Sequence, residues 1–524
     1  MENCLLQSHL GEQRMPYFWY SHLWILILLG NLFWVMNPLN AQVPTDREWI
    51  EESLPGQASS AGDSLDIFLK VCDQACYTHP QWVVEWFTGL NKSGTVSSGT
   101  ELGFMGAICS ARAYTVMRKP DSAGVWIQSV LKAGPRSAGV YYWQACVETA
   151  TRFLSERNTK EASLWAGKVL SSPLSGPEEK AEAYLVLASV LGFNGDYPGA
   201  LETAGKGLGL IGNDMSGRLK ARLLIFKGLT EIKTGKLAIA LRHLLEARQA
   251  VLSLHDNALL FEIHSAIGTI FWQAGEHKNA SSLFERSLGY YNQIAYPPPG
   301  IGDLYNNLGI VNLMLERYQD AESYFLQAIH HHKAEGSHHR IAAALNNMAE
   351  LRIATGEHRE ADEYIQTALG MARQNKDTSM LASMLHTLAK VNKAKGDYQE
   401  ASRVLKEAQS YAMTRKLGWV LSAIYEEQYL VAELSGDYRS AFESLKLYQA
   451  ARDSVLDARL RLQVVETKME INRDSGNSAA VAPQNSGMPV HAQNQNPFTR
   501  YLLAILTLVS GIMLISLIYA VYFQ

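Results

Sequence analysis

Four polar residues recur at one position of a 40-residue step: Asn306, Asn346, His386 and Glu426. Two of them are carboxamides, and a carboxamide donates and accepts a hydrogen bond at once. Set in a row, such groups can pair with the backbone of an extended peptide whatever its sequence. They can equally cap or bridge adjacent helices, and the residues alone leave both readings open. A denser polar cluster, HHHKAEGSHHR (330–340), holds five histidines in eleven residues. Histidines can bind a transition metal or respond to acid pH. No spacing here fixes a coordination geometry, however, and a helix end with its loop is where solvated polar residues are expected. Neither a metal nor another cofactor is expected. There is no GxSxG, Walker loop, dinucleotide fingerprint or HExxH, so the sequence points away from an enzyme.

A polar row at this step needs a periodic support, and the chain contains one. The hexads GDYPGA (195–200), GKLAIA (235–240), GEHKNA (275–280), ERYQDA (316–321), GEHREA (356–361), GDYQEA (396–401) and GDYRSA (436–441) end on alanines 40 or 41 residues apart. Weaker copies, RKPDSA and RNTKEA, end at Ala123 and Ala162. Glycine after a helix can take the left-handed conformation that closes it, and the adjacent Asp or Glu favours the start of the next helix. Twelve residues before the alanine another small residue recurs, as Ala188, Gly228, Gly268, Gly309, Ala349 and Ala389. Four after it comes a large apolar one, as Leu244, Phe284, Phe325, Ile365, Leu405 and Leu445. Small and large positions alternate so that each hairpin fills the gaps of the next.

These residues resemble the tetratricopeptide repeat, and YNNLGIVNLMLERYQDAESYFLQAI (305–329) lies close to its pattern. The resemblance covers about residues 104 to 455, most clearly 261 to 415, and departs from the pattern at Lys227, Gln428 and Tyr429. The step exceeds the family's usual length of about 34 residues; the longer helices of kinesin light chain would account for it. The resemblance implies an all-α solenoid of about seven to nine helix–turn–helix repeats, wound as a right-handed superhelix with a concave face. The first helix of each repeat would line that face, which is expected to be open to guests. Kinesin light chains carry a similar asparagine ladder, so the resemblance implies a protein or peptide ligand at Asn306, Asn346, His386 and Glu426.

The ends of the chain bear on location. Residues 501–523 form an apolar run of the length a spanning helix needs, and residues 17–36 form a second, between Arg14 and Ala41. The first stretch reads as a signal peptide or an N-terminal anchor and the last as a transmembrane helix. Together they place the array on the exported side of a membrane. Arg500 mildly favours the alternative, a tail anchor with a cytoplasmic body. The expected organisation is thus 1–41 signal peptide or anchor, 42–103 helical cap region, 104–455 repeat array (clear from about 181), 456–474 charged helix with weak coiled-coil character, 475–499 flexible linker and 500–524 transmembrane helix. The 475–499 composition makes a slack tether that cannot relay a movement into the membrane. The charged helix resembles the segment that joins exported repeat arrays to the membrane helix of Bacteroidetes-type sensors and regulators. In those proteins an output domain follows, which is not expected here. The 47 basic and 51 acidic residues give a net charge of −4 with no basic block, so nucleic acid is not an expected partner. Of five cysteines, Cys72, Cys76, Cys109 and Cys146 crowd into one quarter of the chain. They read as buried thiols or as one bridge between neighbouring helices. The expected function is a membrane-anchored, non-catalytic scaffold; the alternative is a sensor subunit whose output module lies on another chain.

Overall fold

The computed structural model describes residues 75–455 apart from 93–96, 98, 213–216, 253, 255, 375–377 and 416. The proposed signal or anchor (1–41), the charged helix (456–474), the linker and the 500–524 helix lie outside the described residues. Among the described residues no helix is long and apolar enough to cross a membrane.

Every described element is a helix. A single helix α1 (Pro80–Lys92) precedes nine pairs. They are α2 (Glu101–Val116) with α3 (Pro120–Ala138), α4 (Val140–Ser155) with α5 (Thr159–Ser171), and α6 (Pro177–Phe193) with α7 (Tyr197–Gly209). Next come α8 (Gly217–Lys233) with α9 (Leu237–Val251), α10 (Asn257–Gln273) with α11 (His277–Tyr291), and α12 (Ile301–Met314) with α13 (Tyr318–Ala334). The last three are α14 (His338–Ala354) with α15 (His358–Gln374), α16 (Thr378–Ala394) with α17 (Tyr398–Thr414), and α18 (Gly418–Leu434) with α19 (Tyr438–Val455). Each pair packs on the next, and the first helix of every pair also touches the first helix of the following one. The first helices therefore crowd together on the inside of the curve and form its concave wall.

The hexads do what their composition demands. Gly195, Gly235, Gly275, Gly356, Gly396 and Gly436 all lie at φ between 75° and 83°, the left-handed region glycine enters without a Cβ clash. The three copies lacking this glycine fold the same way. Arg118, Arg157 and Glu316 take the position at φ 57°, 60° and 59°. Asp196 and Asp397 cap the second helices by accepting from Gly199 N and Glu400 N at 3.0 and 3.1 Å.

The alternation of small and large residues is a space rule. A Cβ added to Gly268 would lie 2.6 Å from the Phe284 ring, and one on Gly309 would lie 2.4 Å from Phe325. Both phenylalanines are fully buried. Cys76, Cys109 and Cys146 are buried thiols; the Cys76 Sγ donates to the Cys109 carbonyl at 3.4 Å, and burial pushes the Cys146 thiol up to about 11. Cys72 lies outside the described residues.

One member of the histidine cluster departs from the expectation of a solvated surface, while His330, His338 and His339 are exposed. His332 is only 1% exposed, because its ring occupies the space that a side chain at Gly302 would take, 2.5 Å from that Cβ position. Burial lowers its pKa, against the pull of Asp303. Among the described residues no group of three or more His, Cys, Asp or Glu is placed to hold a metal ion.

Candidate functional site on the concave face

The concave wall has two chemically different stretches. In the later pairs, Asn306 (α12), Asn346 (α14) and His386 (α16) are half-buried and Glu426 (α18) is exposed. Asn306 is engaged within the protein: its Oδ1 accepts from Nδ2 of Asn347 at 2.8 Å, a bond between adjacent repeats. That is the bridging role the sequence left open. Asn346 differs, because its Oδ1 is shielded from solvent and has no hydrogen-bond partner. A buried carbonyl oxygen left without a donor costs roughly 1–3 kcal/mol.

His386 stands in an ionic cluster rather than in a row of amides. Burial lowers its pKa to about 4, helped by Lys390 and opposed by Glu350 and Glu427; it is neutral at neutral pH. Glu350 takes a hydrogen bond from the Thr387 hydroxyl at 3.2 Å and an ion pair from Lys390 at 3.4 Å. Burial alone would raise the Glu350 carboxyl, but Lys390, His386 and Thr387 together hold it below the usual range. Lys393 pairs with the buried Glu427 at 2.7 Å. The structure thus adds Glu350, Thr387, Lys390 and Glu427 to the sequence-derived row. Their signal was present, since Glu350 and Lys390 lie four residues after Asn346 and His386 on the same helix face and Thr387 and Glu427 directly follow His386 and Glu426, but one repeated polar position does not reveal it.

The earlier pairs carry a cavity of about 480 Å³. At the register of Asn306 and Asn346, these pairs have Leu185 and Ile225, which line it. Charge appears one turn earlier on the same helices, at Glu182, Arg222 and Glu262. Arg112 pairs with Glu148 at 2.7 Å and with Glu182 at 3.6 Å, and Arg222 lies 3.8 Å from Glu182. Burial pushes the Glu182 carboxyl upward in spite of Arg112.

The concave face is not open along its whole length, contrary to the expectation from sequence. The link 292–300, which contains YPPPG, crosses to the first helices. Tyr296 OH donates to Gln81 Oε1 at 2.9 Å, and Arg118 Nη2 donates to the Pro297 carbonyl at 2.7 Å. Ile294, Tyr296, Pro298 and Pro299 line the cavity as its roof.

With the fold and its inner face described, comparisons with known proteins define the class. Residues 300–374 and 340–414 match the tetratricopeptide repeat family model. Residues 300–414 are thus tetratricopeptide repeats, and the helix pairs on either side continue the same pairing. A search of the curated proteins found no match. Among solved structures, a Rap protein complexed with competence and sporulation factor is similar at TM-score 0.52 and 13% identity, over 68% of this chain and 99% of that one. The apo quorum sensor NprR from B. thuringiensis aligns at TM-score 0.45 and 14% identity, over 67% of this chain and 99% of that one. The Rap conjugation gene regulator of plasmid pLS20, in complex with the Phr* peptide, aligns at TM-score 0.45 and 15% identity, over 71% and 96%. At these identities the first of the three speaks for the fold.

Proposed function

We propose that this protein is a non-catalytic scaffold that seats an extended peptide or protein segment on the concave face of α12–α18, held near a membrane by residues 500–524. The observation that carries the reading is the unpartnered Oδ1 of Asn346, set on the inner wall beside the paired Asn306 and Asn347 and the Glu350–Lys390 cluster. A turn of the half-buried Asn346 side chain would offer that oxygen to a backbone N–H of a bound strand, and the neighbouring amides and charges would fix the strand's register. A fold-level precedent is the Rap protein, which is complexed with competence and sporulation factor. The apolar runs at 17–36 and 501–523 support export of the array and its tethering.

The test is selection of a phage-displayed random peptide library on the full chain. Enriched peptides should bind Asn346→Ala at least tenfold more weakly, with an unchanged melting temperature. Asn306→Ala should act less, since its amide already serves Asn347. Retention of full affinity by Asn346→Ala would remove the reading. Protease accessibility in intact spheroplasts checks the exported location: the array should be cleaved without lysis.

A further inference from the structure

We propose that the roofed cavity of the earlier pairs is a second binding site, for a cationic amine carried on an apolar body, with Glu262 as its anchor. The site is separate from the Asn346 groove.

The size suits such a ligand, since small-molecule pockets run from roughly 300 to 1,000 Å³, and this one is about 480 Å³. Its walls are largely apolar: Leu185, Val186, Ile225, Phe226 and Leu229 come from the first helices of two successive pairs. An apolar body would be removed from water there.

The charges decide which polar group the ligand brings. Arg112 is taken by Glu148 and Glu182, and Arg218 pairs with Asp256 while its guanidinium lies over the Tyr77 ring. Arg222 leans toward Glu182, and Arg118 serves the Pro297 carbonyl. Glu262 alone of the lining carboxylates makes no hydrogen bond or ion pair. It is exposed, yet it faces this cavity. The atoms crowded around it push its carboxyl above the ordinary range although it still reaches solvent, and Arg222 and Arg218 do not compensate. An anion so placed beside an apolar cavity has no partner, and an ammonium within reach would supply one. An anionic ligand would meet Glu262, with Arg112, Arg218 and Arg222 turned to other carboxylates.

The same chemistry could come from a free amine or from the amino end of a short peptide. Phenethylamine and the dipeptide amide Leu-Phe-NH2 are the two probes, and their N-acetylated forms are controls without the charge. Isothermal titration of the full chain should show binding of at least one charged probe and of neither acetylated form. Which of the two binds tells free amine from peptide terminus. Glu262→Gln, which keeps size and polarity, should weaken that binding at least tenfold with an unchanged melting temperature. Asn346→Ala should leave it unaltered, so failure of the groove reading and failure of this one are separable. No binding of either charged probe at millimolar concentration overturns the proposal. So does equal binding by the acetylated forms or by Glu262→Gln.

Discussion

The earlier and later halves of one concave wall are built on the same repeat and present opposite chemistry. In α6 and α8 the position three residues before the small residue of the repeat is apolar, Leu185 and Ile225; in α12 to α18 it is Asn306, Asn346, His386 and Glu426. One turn earlier the pattern inverts except in α12, which keeps an acid at Asp303: Glu182, Arg222 and Glu262 in α6 to α10 stand where α14 to α18 have Ala343, Ser383 and Ala423. The frame that sets spacing is independent of these columns, because it consists of the small and large residues between helices. The lining can therefore change from one half to the other without cost to the fold. Among the described residues only the earlier half is roofed.

The largest effect tests whether the frame is common to both halves. Phe284→Ala and Phe325→Ala each empty a fully buried site beside a glycine. Each should lose about 3–5 kcal/mol in urea denaturation. Losses differing by more than the span of that range would show that the halves differ in frame as well as in lining.

The next effect is on pH. His264 of α10 is 4% exposed, its Nδ1 donates to the Leu260 carbonyl at 2.8 Å, and burial lowers its pKa to about 4. A base whose folded pKa lies below its unfolded value of about 6.5 gives stability that is present above 6.5 and lost as pH falls toward 4. The loss should approach about 3 kcal/mol and be absent in His264→Gln, as read from denaturation midpoints between pH 7 and 4. His386 has the same sign and window. It is more exposed, so solvent screening makes its share smaller.

A third comparison concerns backbone. Glu316 sits in the left-handed region at φ 59° where most copies have glycine. Glu316→Gly should raise stability by about 1 kcal/mol, measured by thermal melting, whereas Gly356→Ala in the next repeat should lower it by a similar amount. The smallest effect on stability belongs to the roof. Arg118→Ala with Tyr296→Phe removes two exposed hydrogen bonds and should cost about 1 kcal/mol. It should also speed amide exchange in 292–300 and leave α14–α18 unchanged.

What was legible in the sequence was whatever repeats. The hexads gave the helix ends, and the alternation of small and large residues was legible too, but the sequence set it between hairpins, whereas Gly268 meets Phe284 and Gly309 meets Phe325 within one pair. The copies RKPDSA and RNTKEA lack the glycine, yet Arg118 and Arg157 adopt its conformation, so the frame overrides the local preference. The candidate row was legible as a register, but the roles within it were not. That Asn306 would be spent on Asn347, that Asn346 would be left unmet and that His386 would stand among charges depends on neighbouring helices. His332 was misplaced for a similar reason, since its burial is set by Gly302 on another helix. The roof was invisible for a different reason. YPPPG says locally only that a helix stops, while its contacts lie 215 and 179 residues away and depend on how far the array has curled by then.

Those two contacts also give the molecule uneven compliance. By clasping Tyr296 to Gln81 and Pro297 to Arg118, the chain turns its earlier repeats into a buckled hoop, while α12–α19 have no such clasp among the described residues and remain a spring. Tension along the axis would lengthen the spring first, so a guest seated there would feel strain that one sealed inside the hoop would not.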